Sequence, residues 1–212
     1  RMSDILLDVC GLARVRVGSP SGWLADAVEG RLGRFMIADD AGARADIVIS
    51  GMSNAEESFE TLCVLPGPQH RLGCVVGRRG RGVFLLHRER PDVGIFPGAP
   101  VEIFYEERPG AWRRIYAMIL FALDLALRSK SGLLFHGACL ARGDRTALVG
   151  GQRASGKTLL ALSLLRRGWG YVADDKLLLH GGEAHLFEPE ILLRDHHVRK
   201  LPWLRDALPP DI

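Results

Sequence analysis

The sequence predicts an α/β (α+β) protein: a strand-rich amino-terminal region, then a unit in which a glycine loop joins a strand to a helix. Three observations carry that expectation. The chain has 212 residues, 47% hydrophobic and 25% charged, which is the balance of one ordinary globular domain or one domain with an appendage. Up to Tyr105 it holds several short runs rich in Val, Ile and Leu. From Leu133 the pattern changes to strand, turn, strand, glycine loop, helix and strand.

Charge and cysteine usage exclude several classes. The formal charge is +3, with 28 cations (24 Arg and 4 Lys) interspersed with 25 acids. Scattered charge of this kind lacks the clustered basic face of a nucleic-acid binder. Cys10, Cys63, Cys74 and Cys139 are far apart with no C-x-x-C pair, which points to reduced thiols rather than zinc or redox chemistry. The start RMSDILLDVC has no long apolar run before a cleavage site. The most apolar segment, Ala117 to Leu127, is interrupted by Asp124 and falls short of the roughly 20 residues of a membrane span. A soluble, cytoplasmic protein with no membrane or nucleic-acid partner is expected.

Taken in order, Ile5 to Val17 alternates loosely and reads as a strand pair or a bent strand. Trp23, Leu24, Val28 and Leu32 mark a short amphipathic helix over Trp23 to Phe35. Asp46 to Ser50, Thr61 to Leu65 and Leu72 to Val76 are β-like, and Gly77 to Gly82 reads as a hairpin turn whose arginines face solvent or a phosphate. Asp92 to Pro100, rich in Pro and Gly, reads as loop, and Val101 to Tyr105 as strand. Pro109-Gly110 then opens a helix over Ala111 to Ser129, apolar on most faces and so expected to be buried, with Gly132 as its stop. A boundary near residue 130 is expected; grouping the long helix with the glycine-loop unit gives regions 1–108 and 109–212. The second holds strands at Leu133 to Ala141, Thr146 to Val149, Tyr171 to Ala173, Leu177 to His180 and Ala184 to Phe187, with a helix over Lys157 to Arg167. There is no internal repeat.

Gly151-Gln152-Arg153-Ala154-Ser155-Gly156-Lys157-Thr158 matches G-x-x-x-x-G-K-[ST] in full. At this chain's residue frequencies a chance match is on the order of 1 in 300. An apolar strand precedes the motif and a helix comes after it, the context that a phosphate-binding loop requires. Gly151 and Gly156 let successive backbone N–H groups converge on one anion, and the helix N-terminus adds partial positive charge. Lys157 supplies a point charge for the β- and γ-phosphates, and the Thr158 hydroxyl suits Mg²⁺. Arg153, at a position the motif leaves free, is expected to face solvent or an acceptor.

Tyr171-Val172-Ala173-Asp174-Asp175 ends an apolar strand with two carboxylates. Strand neighbours point to opposite faces, but at a frayed end both can reach one site, one acid in the Mg²⁺ shell and the other accepting a proton from a hydroxyl. A solvated strand end is the plainer alternative. His136, in Leu133-Leu134-Phe135-His136-Gly137-Ala138, reads on its own as a packed core residue.

Together, His136-Gly137-Ala138, Gly151 to Thr158, Arg167-Gly168 and Val172-Ala173-Asp174-Asp175 resemble the HPr kinase/phosphorylase family, whose catalytic domain is related to phosphoenolpyruvate carboxykinase. The family pattern is H-G, then G-x-S-G-x-G-K-[ST], then R-G-H-x-L-V-A-D-D. The 21 positions from His136 to Lys157 and the 17 from Thr158 to Asp175 agree with it. The resemblance covers residues 133 to 180. It implies a P-loop kinase fold on a mixed sheet, with Asp175 as catalytic base, His136 and Lys157 completing the active site, and Thr158 as a Mg²⁺ ligand. The family's metal-binding glutamate lies in an E-I-R-G segment. Glu190, in Glu190-Ile191-Leu192-Leu193-Arg194, is its nearest counterpart, at a shorter spacing from Asp175.

The segment with which the family grips HPr lies further on than Ile212, and residues 1–130 do not resemble the family's usual amino-terminal domain. The expected acceptor is therefore a serine hydroxyl on a peptide or small protein, as in relatives that look like peptide serine kinases. An HPr-type kinase/phosphorylase, a non-catalytic nucleotide-binding regulatory module and a simple hydrolase are the alternatives. No N-K-x-D string specifies guanine, so ATP with Mg²⁺ is the expected pair. A homo-oligomer is compatible with the sequence.

Overall fold

Ile5–Val9 (β1) and Ala13–Val17 (β2) form an antiparallel hairpin turned through Cys10 and Gly11, at φ 58° and 70°. They begin a mixed α/β structure with two sheets, seen in a computed structural model. It describes residues 4–18, 20–38, 42–51, 60–65, 74–79, 82–87, 93–108, 110–152, 154–188, 191, 193 and 195–207. The chain divides into two units, Arg1–Gly132 and Leu133–Ile212.

In the first unit α1 (Gly22–Leu32) buries Leu24, Ala25, Val28 and Leu32, and a 3₁₀ turn at Gly33–Phe35 completes the expected helical stretch. The strands β3 (Met36–Ile37), β4 (Ile47–Gly51), β5 (Glu60–Leu65), β6 (Cys74–Arg79), β7 (Gly82–His87), β8 (Val93–Phe96) and β9 (Val101–Tyr105) come next. Among the described residues they form one sheet in the order β3-β1-β2-β4-β9-β8-β7-β6-β5. β4 runs parallel to β2 and β9, and every other neighbouring pair is antiparallel.

Three sequence expectations change here. Of the turn expected over residues 77–82, residues 77–79 belong to β6 and Gly82 to β7, and residues 80 and 81 lie outside the described residues. The loop expected over residues 92–100 contains β8, with Val93 and Ile95 fully buried; proline and glycine confine the strand to four residues without preventing it. The helix α2 (Trp112–Arg128) belongs to the first unit, not to the second. It packs against β8 and β9, which moves the division from 108/109 to 132/133.

Nor is α2 buried all round. Ile115, Met118, Ile119, Ala122, Leu123, Ala126 and Leu127 are buried at three- and four-residue spacing, one apolar stripe, while Phe121 is exposed. Each fully buried aliphatic side chain contributes roughly 1.5–3 kcal/mol. Ser131, not Gly132, takes the left-handed conformation at its end (φ 59°), and the Gly132 N–H donates to Leu127 O at 2.8 Å. Lys130 anchors this end on Leu12 O and Asp46, at 2.8 and 2.9 Å.

The second unit is built on β10 (Leu133–Arg142). A Gly143 turn leads into β11 (Arg145–Gly150), then come α3 (Lys157–Arg166), β12 (Gly170–Ala173), β13 (Lys176–His180), β14 (Glu183–Leu186), α4 (Asp195–Lys200) and α5 (Leu204–Ala207). On one edge β10 pairs with β11 through residues 137–142; on the other it pairs with β12 and then β13. β12 and β13 thus continue one line along β10, interrupted at Asp174 and Asp175. All these pairings, and that of β13 with β14, are antiparallel. The mixed sheet is therefore the first one, not the sheet that carries the glycine loop, where the resemblance implies it.

α3 packs its Ala161 against Ala138 and Leu140, with Val149, Leu164, Leu165 and Trp169 around them. Cys139, Ala173 and Leu177 form a second cluster with Phe135, Val172, Leu179 and Ala184. β10 is thus covered on both faces, with Ala138, Cys139 and Leu140 all fully buried. Among the described residues no helix is long and apolar enough to cross a membrane.

Gly137 of β10 tests the tightness of this packing. A Cβ there would lie 2.4 Å from Val149 O and 2.5 Å from Cε1 of Phe135, and the backbone oxygen cannot yield without disturbing the β10–β11 ladder. Gly137→Ala is expected to destabilise the protein by about 1–3 kcal/mol in urea unfolding. Gly30→Ala, on a helix with nothing within 4 Å of the added carbon, should instead stabilise by roughly 0.5–1 kcal/mol. Equal effects from the two substitutions would contradict the packing described.

Candidate functional site

The site grows from the loop between β11 and α3. Gly151 (φ 150°), Ala154 (φ 64°) and Gly156 (φ 88°) turn the chain out of the strand and into the helix. A Cβ on Gly151 would come within 2.7 Å of Ser155 Oγ, so this position requires glycine to close the loop. The Ser155 N–H donates to Gln152 O at 3.2 Å, and Leu160 N–H to Gly156 O at 2.9 Å. Gly156 caps α3 without a side-chain hydrogen bond, and no acid stands in the first turn. The leading N–H groups of α3 thus have no side-chain cap, which suits an anion.

Lys157 folds back over this loop, donating from Nζ to Gly151 O at 2.9 Å and Gln152 O at 3.1 Å. Next to it the Thr158 hydroxyl lies 3.2 Å from Asp174 Oδ2. Asp174 is 6% exposed, deep enough to need that partner. The two acids therefore separate. Asp174 turns inward to the helix, and Asp175, at φ 80°, turns its half-exposed side chain another way. This left-handed residue breaks the β12–β13 line and frees the pair from strict alternation.

Gly137 joins the parts. Across one edge it stands opposite Gly150, where the loop begins; across the other its N–H donates to Asp175 O at 3.0 Å. His136, one residue earlier, is 59% exposed and its Nδ1 lies 3.3 Å from Asp175 Oδ1. It is not the core residue that an apolar strand suggests, because its side chain faces the break at Asp175. Of the residues singled out in the sequence, His136, Gly151, Gln152, Ala154, Ser155, Gly156, Lys157, Thr158, Asp174 and Asp175 thus gather around one strand position. Arg153 and Glu190 lie outside the described residues.

Two residues escape a reading of the sequence alone. Lys176 Nζ binds Asp175 Oδ2 and also Glu188 Oε2, at 3.0 Å. Glu188 is 5% exposed. Lysine is scarce in this chain, four against 24 arginines, and its place directly after the acid pair is the available signal. Nothing in the sequence marks Glu188 as buried.

Charge is set by these contacts. Burial opposes ionisation of Asp175, but the hydrogen bond and charge of Lys176, together with His136 and Glu188, outweigh it and hold the carboxyl below its ordinary pKa of 3.8. Burial likewise opposes the Lys176 ammonium, and Asp175 and Glu188 outweigh it, raising that pKa above 10.5. Among the described residues no group of three or more His, Cys, Asp or Glu side chains is arranged to hold a metal. Thr158 and Asp174 offer one hydroxyl and one carboxylate, the oxygen donors a hard cation takes when phosphates and water complete its shell.

Comparison with protein-family models, curated proteins and solved structures finds no match.

Asp175 contributes stability that is present above pH 3.8 and is lost as the pH falls through its lowered folded-state value. Lys176 contributes stability that is present below pH 10.5 and is lost as the pH rises through its raised value. A ¹³C NMR titration of the Asp175 carboxyl should show a midpoint below 3.8 in the parent, moving upward in Lys176→Met. A midpoint that does not respond to that substitution would contradict the electrostatics described.

Proposed function

We propose that this protein is a Mg-ATP-dependent kinase of the HPr kinase-like, P-loop type. It transfers the γ-phosphoryl group to a hydroxyl, serine being the expected one, of a peptide or small protein in the cytoplasm. The observation that carries the reading is the division of labour in the acid pair. Asp174 is buried on the Thr158 hydroxyl at 3.2 Å, while the half-exposed Asp175 looks out beside His136 at 3.3 Å.

The donor set fits the nucleotide and metal. Lys157, now on two loop carbonyls, has only to exchange them for the β- and γ-phosphates, joined by the loop and leading helix N–H groups. Thr158 and Asp174 would hold Mg²⁺, which supplies positive charge to the phosphate oxygens. In the transfer the acceptor oxygen forms a bond to the γ-phosphorus. The bond from that phosphorus to the β–γ bridging oxygen breaks, and its electron pair leaves with ADP. The acceptor proton passes to Asp175 Oδ1. The loose transition state of phosphoryl transfer asks little of a base, which suits a carboxylate whose basicity Lys176 has lowered. His136, exposed and adjacent, would complete the active site.

The test offers γ-labelled ATP with candidate peptides and HPr in parallel. Labelled peptide supports the reading; free phosphate alone would indicate a hydrolase, and labelled HPr the bifunctional alternative. In single-turnover transfer at saturating Mg-ATP, Asp175→Asn should lose at least about two orders of magnitude while still binding nucleotide. Asp174→Asn should weaken metal-nucleotide binding more than the chemical step. Lys157→Ala should abolish nucleotide binding or transfer with the fold retained, because it removes a charge-assisted contact from a solvent-exposed loop. Normal turnover and ATP affinity in Lys157→Ala would exclude the phosphate-loop reading.

A further inference from the structure

Lys176 reaches from the first residue of β13 to two carboxylates, Asp175 Oδ2 and Glu188 Oε2. Its side chain is 17% exposed and that of Glu188 is 6%. Withdrawing an ion from water costs several kcal/mol, and a buried pair needs good geometry to offset that cost. The geometry here is doubly tied, since the Glu188 N–H also donates to Lys176 O at 3.2 Å. Glu188 therefore braces Lys176 through backbone and side chain together.

The brace bears on a strained residue. Asp175 holds φ 80°, a conformation that costs a residue with a Cβ on the order of 1–3 kcal/mol and persists only where its surroundings over-determine it. Gly137 N–H fixes its carbonyl at 3.0 Å, and Lys176 fixes its side chain. The two carboxylate oxygens then have unequal company. Oδ2 is held by an ammonium that is itself held, whereas Oδ1 faces the exposed ring of His136.

We propose that Lys176, braced by Glu188, is a positioning residue that holds the Asp175 carboxylate by Oδ2, so that Oδ1 is the oxygen offered to the acceptor hydroxyl and His136 is the neighbour that yields its place. Lysine suits the task because a point charge on a slim stem can bridge two separate carboxylates, where the planar fork of arginine favours one. The role of Oδ1 rests on the kinase reading; the hold on Oδ2 does not.

The experiment compares the parent with Lys176→Met and with Lys176→Met/Glu188→Gln, which leaves no unpaired charge at residue 188. Single-turnover transfer at saturating Mg-ATP should fall on the order of 10²-fold in both, the cost of about 1 Å of misplacement, with ATP affinity unchanged. Crystal structures should show the Asp175 carboxylate displaced in both variants. Parent-like transfer, an Asp175 carboxylate that keeps its place, or ATP affinity lost in step with the rate would each overturn the proposal. Unfolding of the double variant would reduce the trio to a structural brace and overturn it too. A parent that transfers no phosphoryl group would remove the kinase reading and the role of Oδ1 with it, and the crystal structures would then decide the hold on Oδ2 alone.

Discussion

A Cβ at Gly137 would stand 2.4 Å from Val149 O, and the second unit depends on there being none. The bare backbone lets β11 close against β10 up to Gly150, where the loop begins. Its N–H, directed to the other edge, reaches Asp175 O at 3.0 Å. One residue without a side chain thus brings the glycine loop and the acid pair to opposite edges of the same strand. His136 enters the site because it precedes that position.

The acid pair shows how a small change in backbone geometry sorts chemistry. In a regular strand two neighbouring aspartates would face opposite sides of the sheet. Here the left-handed φ of Asp175 interrupts the line between β12 and β13, and each acid acquires its own environment. Asp174 is 6% exposed and meets a hydroxyl. Asp175 stays half in water, between an imidazole and an ammonium. Two identical side chains thus acquire different surroundings, one buried on a hydroxyl and the other paired with an ammonium.

The first unit obeys another logic. Its long sheet alternates buried and more accessible positions along β2 and β9, and α2 lays one apolar stripe on it. The end of α2 is secured by Lys130 on Asp46, which also accepts the Arg14 N–H at 2.9 Å. Local sequence is a weak guide to such a sheet. β8 is bounded by proline and glycine and looks like loop, yet Val93 and Ile95 lie in the core because β7 and β9 flank the segment and pair with it.

The sequence by itself determined the glycine loop, the helix behind it, most strands of the second unit and the identity of the two acids. Those features are encoded by residue type at short spacing, where glycine geometry, apolar periodicity and helix termini act within a few residues. Tertiary structure decided the rest. The long helix joins the first unit because its apolar stripe finds β8 and β9. His136 is exposed because it lies at the break in the sheet edge, although its neighbours in sequence are apolar. Lys176 meets Glu188 twelve residues away because β13, β14 and the return of the chain bring them together. The two adjacent aspartates part company at the left-handed Asp175, whose carbonyl is held by Gly137 on another strand, beyond the reach of local pattern.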